Sequence, residues 1–139
     1  MRNSEFGLRN EPDLKKRTKA FALRILKLVD TLPKTTTGRA LAPQIVRSGT
    51  SIAANYRAAC RAKSTADFIA KMGIVEEEAD ETLFWLELLE ESDLLLAAKL
   101  TAIKQEAGEL IAITVASIKT ARRNRVSSSA IRIPHSAFE

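Results

Sequence analysis

The side chains best suited by type to chemistry are five acids packed into residues 76–81: Glu76, Glu77, Glu78, Asp80 and Glu81. Such a run invites a metal reading. Helical bundles that hold paired metal ions, however, combine inward carboxylates with a Glu-x-x-His motif. The single histidine, His135, lies near the C-terminus and far in sequence from these acids, so no metal site is expected. The same isolation removes histidine acid–base chemistry and a Cys–His nucleophile, because Cys60 is the only cysteine and has no partner close in sequence. Cys60 reads instead as a small core or helix-end residue. No glycine-rich phosphate loop and no Cys/His zinc spacing occurs. The chain is expected to be non-enzymatic and to carry no cofactor.

Two polar groupings remain. Ser48, Ser51 and Asn55 recur at three- and four-residue spacing, which sets them on one face of a helix. Opposite Glu78, Glu81 and Thr82 they would form a polar network, either a small-ligand site or a device that holds helices in register. Arg47 and Arg57 adjoin that face, and both are candidates to answer Glu78 or Glu81. The second grouping is basic. Lys15, Lys16, Arg17, Lys19, Arg24 and Lys27 fall within one predicted helix, followed by Arg39, Arg47, Arg57 and Arg61, and later by Arg122, Arg123 and Arg125. Lys16, Arg17, Lys19, Arg24 and Lys27 are the candidate nucleic-acid contacts. Few aromatics accompany them, so binding would go to phosphate rather than through base stacking.

Charge is divided sharply along the 139 residues. Residues 1–63 carry 14 Lys/Arg against 4 Asp/Glu, residues 64–118 carry 3 against 12, and residues 119–139 carry 5 against 1. On a lone chain the basic half could be a solvated face that complements the acidic half. Repeated around a symmetric assembly, it would become a multivalent polyanion surface. A lone cysteine points to a reducing compartment, the N-terminus has no apolar core of a secretion signal, and no apolar run reaches the roughly 18 residues a membrane span needs. A cytoplasmic protein is expected.

The elements that must position these residues are all helical, since Leu, Ala, Ile, Glu, Lys and Arg dominate and only five glycines and four prolines interrupt. The stripe Leu14, Thr18, Phe21, Ile25, Leu28, Leu32 predicts a first helix over 14–32, capped by Asp13 and stopped before Pro33. Thr37 is the expected cap of a second helix over 39–61, with Pro43 a source of a kink or a tight first turn. Its stripe is Leu41, Ile45, Ser48, Ile52, Asn55 and Ala59, and its small residues, Gly49 among them, let a neighbour approach closely. Ser64-Thr65-Ala66-Asp67 reads as a capping box for a third helix over 65–91, with its stripe at Phe68, Met72, Val75, Ala79, Thr82, Leu86 and Leu89. Ser92-Asp93 is the expected cap of a fourth helix over 93–123, through Leu96, Leu100, Ile103, Ala107, Leu110, Thr114, Ser117 and Ala121. Residues 1–12 and 126–139 are read as flexible ends around a bundle over 13–125. Short connections make it an antiparallel up-down-up-down four-helix bundle. Apolar residues beyond these stripes (Leu23, Leu26, Phe84, Trp85, Leu88, Ile111, Val115, Ile118) call for burial by self-association.

The segment from Phe21 to Leu89 carries more than periodicity. It contains Gln44-Ile45-Val46-Arg47-Ser48-Gly49-Thr50-Ser51-Ile52-Ala53-Ala54-Asn55, then Ser64-Thr65-Ala66-Asp67-Phe68, then Glu78-Ala79-Asp80-Glu81-Thr82-Leu83-Phe84-Trp85-Leu86. This resembles the four-helix-bundle proteins encoded in intervening sequences of bacterial 23S ribosomal RNA genes. The resemblance implies an all-helical subunit assembled as a pentameric ring, with related retroelement accessory proteins that bind nucleic acid. One departure stands out: Ala58 and Ala59 occupy places where many members have an acidic residue and a glycine, so no role of that acid transfers here. The expectation is a homo-oligomer that binds RNA through basic surfaces. The competing reading is a protein-binding scaffold with no nucleic-acid role.

Overall fold

The computed structural model describes residues 11–136, and side chains over residues 13–126. Four helices follow in order: α1 (Glu11–Val29), α2 (Thr36–Ala59), α3 (Thr65–Glu91) and α4 (Ala97–Ser136). No strand occurs among the described residues. The chain start read as flexible, residues 1–10, lies outside them. Each helix packs chiefly on its neighbours in sequence, and α1 closes only lightly against α4.

The apolar stripes supply the core. All seven stripe residues of α3, from Phe68 to Leu89, are buried, as are the stripe residues of α4 from Leu100 to Ala121. Phe21 and Ile25 of α1 meet Ile45, Ile52 and Tyr56 of α2 in the same cluster. Hydroxyl residues are tolerated there because they bond back to their own helix: Thr18 Oγ1 to the carbonyl of Leu14 at 2.9 Å, and Thr114 Oγ1 to that of Leu110 at 2.7 Å. Gly49 is the point of closest approach between α1 and α2. A Cβ there would lie 2.8 Å from Cγ1 of the buried Ile25. Ile118, read from sequence as surplus apolar surface, is buried within the chain.

Helix ends differ from expectation for identifiable reasons. Helix α1 begins at Glu11 rather than at an Asp13 cap, because Pro12 fits a first turn, where its missing N–H is not needed. It closes at Val29, and the Thr31 and Leu32 amides fold back onto the carbonyls of Leu28 and Val29 at 3.0 and 3.2 Å. The cap of α2 is Thr35, not Thr37; its Oγ1 accepts from the Gly38 amide at 3.1 Å. Helix α2 then runs unbroken through Pro43. Ser64 caps α3 as the motif predicts, accepting from the Asp67 amide at 3.0 Å, while Asp67 takes the Lys63 amide at 3.0 Å.

The Ser92-Asp93 pair terminates α3 instead of starting α4. Asp93 adopts φ 59°, its amide reaches the Glu90 carbonyl at 3.1 Å, and the Leu94 amide reaches the Leu89 carbonyl at 3.0 Å. That pair of bonds is the Schellman closure, usually built with glycine at the left-handed position. Leu96 is consequently outside α4 and 72% exposed. At the other end α4 continues to Ser136, past the expected stop near 123 and through most of the segment read as a tail. No glycine follows Gly108, and serine and valine are only modestly poorer helix formers than leucine.

Candidate nucleic-acid interface

The sequence of α1 from residue 14 to residue 29 holds six Lys/Arg and no acid; Asp13 and Asp30 bracket it. The fold separates these cations by what each one faces. Arg17 turns toward α4, where Nε donates to Glu106 Oε2 at 3.1 Å and Nη2 donates to Glu106 Oε1 at 2.7 Å and Glu109 Oε1 at 3.0 Å. The Glu106 hydrogen bonds, more than any other contact, hold its guanidinium well above the usual range. Arg17 is therefore a clip between helices, and unlike Lys16, Lys19, Arg24 and Lys27 it is paired with carboxylates among the described residues.

The others divide into two basic grooves. Lys15, Lys16 and Lys19 of α1 line the first with Ala53, Ala54 and Arg57 of α2. The alanines leave its floor low, and the long basic side chains form its walls. Arg24, Lys27 and Leu28 of α1 and Thr31 just after it line the second with Lys99 and Ile103 of α4. Because α1 meets residue 57 of α2 near its start and residue 49 near its end, the two helices run in opposite directions. Lys16, Lys19, Arg24, Lys27 and Arg57 are all exposed, and no ion pair engages them among the described residues. A third basic cluster, Lys119, Arg122 and Arg123 with Val126, lies along α4.

The polar network expected between α2 and α3 forms in part. Arg47 Nη1 donates to Glu78 at 3.0 Å, its other terminal nitrogen pairs with Glu81, and Trp85 Nε1 donates to Glu81 Oε2 at 3.0 Å. The Trp85 hydrogen bond first, and Arg47 second, holds the Glu81 carboxyl below its ordinary range, and Glu78 with Glu81 raises Arg47. Beneath them Thr82 Oγ1 donates to Ser48 Oγ at 2.9 Å, with the Glu78 carbonyl oxygen 2.8 Å away as the alternative acceptor. Ser51 and Asn55 do not cross to α3. Ser51 Oγ donates to the Arg47 carbonyl at 2.6 Å and Asn55 Nδ2 to the Ser51 carbonyl at 2.8 Å, both on their own helix. Arg57, four residues C-terminal to Ala53, faces α1 instead of the acids of α3. Sequence reasoning missed the Trp85 donor, whose signal was its i,i+4 spacing from Glu81, and the pairing of Arg17 with Glu106 and Glu109, which no local pattern announces.

Cys60 is buried at the end of α2, and no group of three or more His, Cys, Asp or Glu side chains converges as a metal cage among the described residues. No described helix is long and apolar enough to cross a membrane.

Residues 11–116 match the family described as 23S rRNA-intervening sequence protein, and the chain belongs to that family. A crystal structure at 1.70 Å of a protein with unknown function from the S23 ribosomal protein family, from Bacteroides thetaiotaomicron VPI-5482, is 36% identical. It superposes with a TM-score of 0.74, covering 79% of this chain and 98% of that one. No curated protein matches the chain.

Proposed function

We propose that this member of the 23S rRNA-intervening sequence protein family is a non-enzymatic RNA-binding protein of the cytoplasm. Its up-down-up-down bundle assembles into a cyclic homo-oligomer, five chains being the number the family resemblance implies. The observation that carries the RNA reading is the acid-free stretch of α1. Among the described residues its exposed Lys16, Lys19, Arg24 and Lys27 have no ion-pair partner, although the same fold pairs Arg17, Arg47, Lys71 and Lys104 with acids. Unpaired cations grouped on one helix suit phosphate, and repetition around a ring would multiply individually weak contacts. Self-association is supported by Ile74 and Phe84 of α3, which remain 42% and 49% exposed on the single chain.

Purified protein titrated against labelled RNA at low salt tests the reading. Binding should weaken log-linearly with salt, by roughly one unit of slope per phosphate neutralised. Reversal of Lys16, Lys19 and Lys27 to Glu should abolish binding while helicity and oligomer size persist. A second reading, a scaffold for a partner protein, draws on the exposed Phe84 packed edge-on against Trp85, ring centroids 5.1 Å apart, on the acidic helix α3. Absence of any RNA shift at low salt would favour it. A mass near 15.3 kDa by light scattering would defeat the ring.

A further inference from the structure

We infer that the form of RNA this surface takes is double-stranded, held through both of its phosphate backbones by the two grooves that flank α1. The inference rests on the RNA-binding reading and deepens it. Lys16 and Lys27 are eleven residues apart, about three helical turns, so they point the same way and stand roughly 16 Å apart along α1. The first groove opens between α1 and α2 with Lys16, Lys19 and Arg57, and the second opens between α1 and α4 with Arg24, Lys27 and Lys99. The two cation clusters thus sit toward opposite ends of α1, Lys19 with Arg57 on its α2 flank and Arg24 with Lys99 on its α4 flank, with Lys16 and Lys27 on the outer face. A duplex presents two phosphate rails held apart by its grooves, whereas a single strand has one flexible rail.

The aromatic residues argue in the same direction. Proteins that hold single strands stack successive bases on aromatic side chains beside a basic track. Here Phe21, Tyr56 and Phe68 are fully buried in the core. Phe84 and Trp85 lie on α3, where Trp85 is bonded to Glu81, a carboxylate that repels phosphate. Among the described residues no ring borders either basic groove. The small alanines between Lys16 and Arg57 offer nothing to a splayed base. Double-stranded RNA is recognised by shape and by backbone contacts, for which long cationic side chains at two separated points suffice.

The test uses the full chain and two probes: a 20-base-pair RNA duplex, and an unstructured RNA strand of the same length, each followed by fluorescence anisotropy across a salt series. Duplex is expected to bind at least tenfold more tightly than the strand. The pair Lys16→Glu/Lys19→Glu and the pair Arg24→Glu/Lys27→Glu should each weaken duplex binding at least tenfold and lower its salt slope, with circular dichroism unchanged. Equal or tighter binding of the unstructured strand overturns the duplex assignment while leaving RNA binding intact. If one pair of reversals leaves duplex affinity unchanged, the two grooves do not act together and the bridging geometry is refuted. Failure of both probes to bind refutes this inference and the RNA-binding reading together.

Discussion

Four glycines sit within the helices, and the structure assigns alanine substitutions at three of them opposite signs. A helix-interior glycine costs about 0.8–1.0 kcal/mol relative to alanine, so substitution stabilises wherever the new methyl meets no obstacle. At Gly73 and Gly108 a Cβ meets nothing within 4 Å. Gly73→Ala and Gly108→Ala should therefore each stabilise by about 1 kcal/mol, and together by about 2, since they lie on different helices. At Gly49 the same methyl would stand 2.8 and 2.9 Å from the two γ carbons of Ile25, a side chain with no exposure and no room to retreat. Overpacking of this kind costs typically about 1–3 kcal/mol, which exceeds or cancels the propensity gain. Gly49→Ala should come out neutral to about 2 kcal/mol destabilising. Urea unfolding at fixed protein concentration, followed by Trp85 fluorescence, measures all three. In an Ile25→Ala background both γ carbons are removed and only the Cβ at 3.2 Å remains, so Gly49→Ala should cost less there than in the parent chain. If Gly49→Ala stabilises the parent chain as much as Gly108→Ala does, the close α1–α2 contact is refuted.

The buried hydroxyl pair gives a second prediction: Thr82→Val leaves Ser48 without its cross-helix partner and should cost about 1–3 kcal/mol, while the double variant Thr82→Val/Ser48→Ala should recover most of the loss in the same unfolding assay. Asp93→Gly should stabilise by about 0.5–1 kcal/mol, because glycine enters the left-handed closure of α3 without the strain of a Cβ; a lower unfolding midpoint would contradict that geometry. Acid should destabilise the fold. Glu81 lies below its ordinary 4.5, chiefly through Trp85 and then Arg47, and Asp67 below 3.8, chiefly through Lys71 and then the Lys63 amide. With folded values depressed, the unfolded chain takes up protons first, so their contribution is complete above about pH 4.5 and is lost as pH falls through the folded values. Urea midpoints measured from pH 7 to pH 3 should show this decline, and Glu81→Gln should flatten it.

Much of the architecture was legible in the chain because it depends on local periodicity. The stripe of α3 needed no neighbour to be recognised: seven apolar or small residues at three- and four-residue intervals allow only one inward face, and Ser64 with Asp67 announces the helix start through bonds to adjacent amides. Helix ends were less legible where two neighbouring residues could serve the same purpose. Thr35 and Thr37 are chemically alike, and only the crowding of Gly38 against Pro33, whose carbonyl oxygen a Cβ would meet at 2.0 Å, places the start. Ser92-Asp93 has the composition of a helix start, yet the left-handed turn at Asp93 makes it an ending, a backbone choice that side-chain type does not encode.

The candidate site divides in the same way. Composition and spacing established that α1 is basic and free of acids between residues 14 and 29, a property of the chain in any conformation. Which of its cations are available was decided by the tertiary structure, because an ion pair depends on what another helix brings within reach. Arg17 is 89 residues from Glu106 in sequence and 2.7 Å from it in space, which sets it apart from Lys16, Lys19, Arg24 and Lys27. Arg47, and not Arg57, meets Glu78 and Glu81, since ten residues along α2 turn the two arginines toward different neighbours. Periodicity fixes which residues share a face, but the partner of a face is set by how helices pack, and packing is a property of the whole bundle.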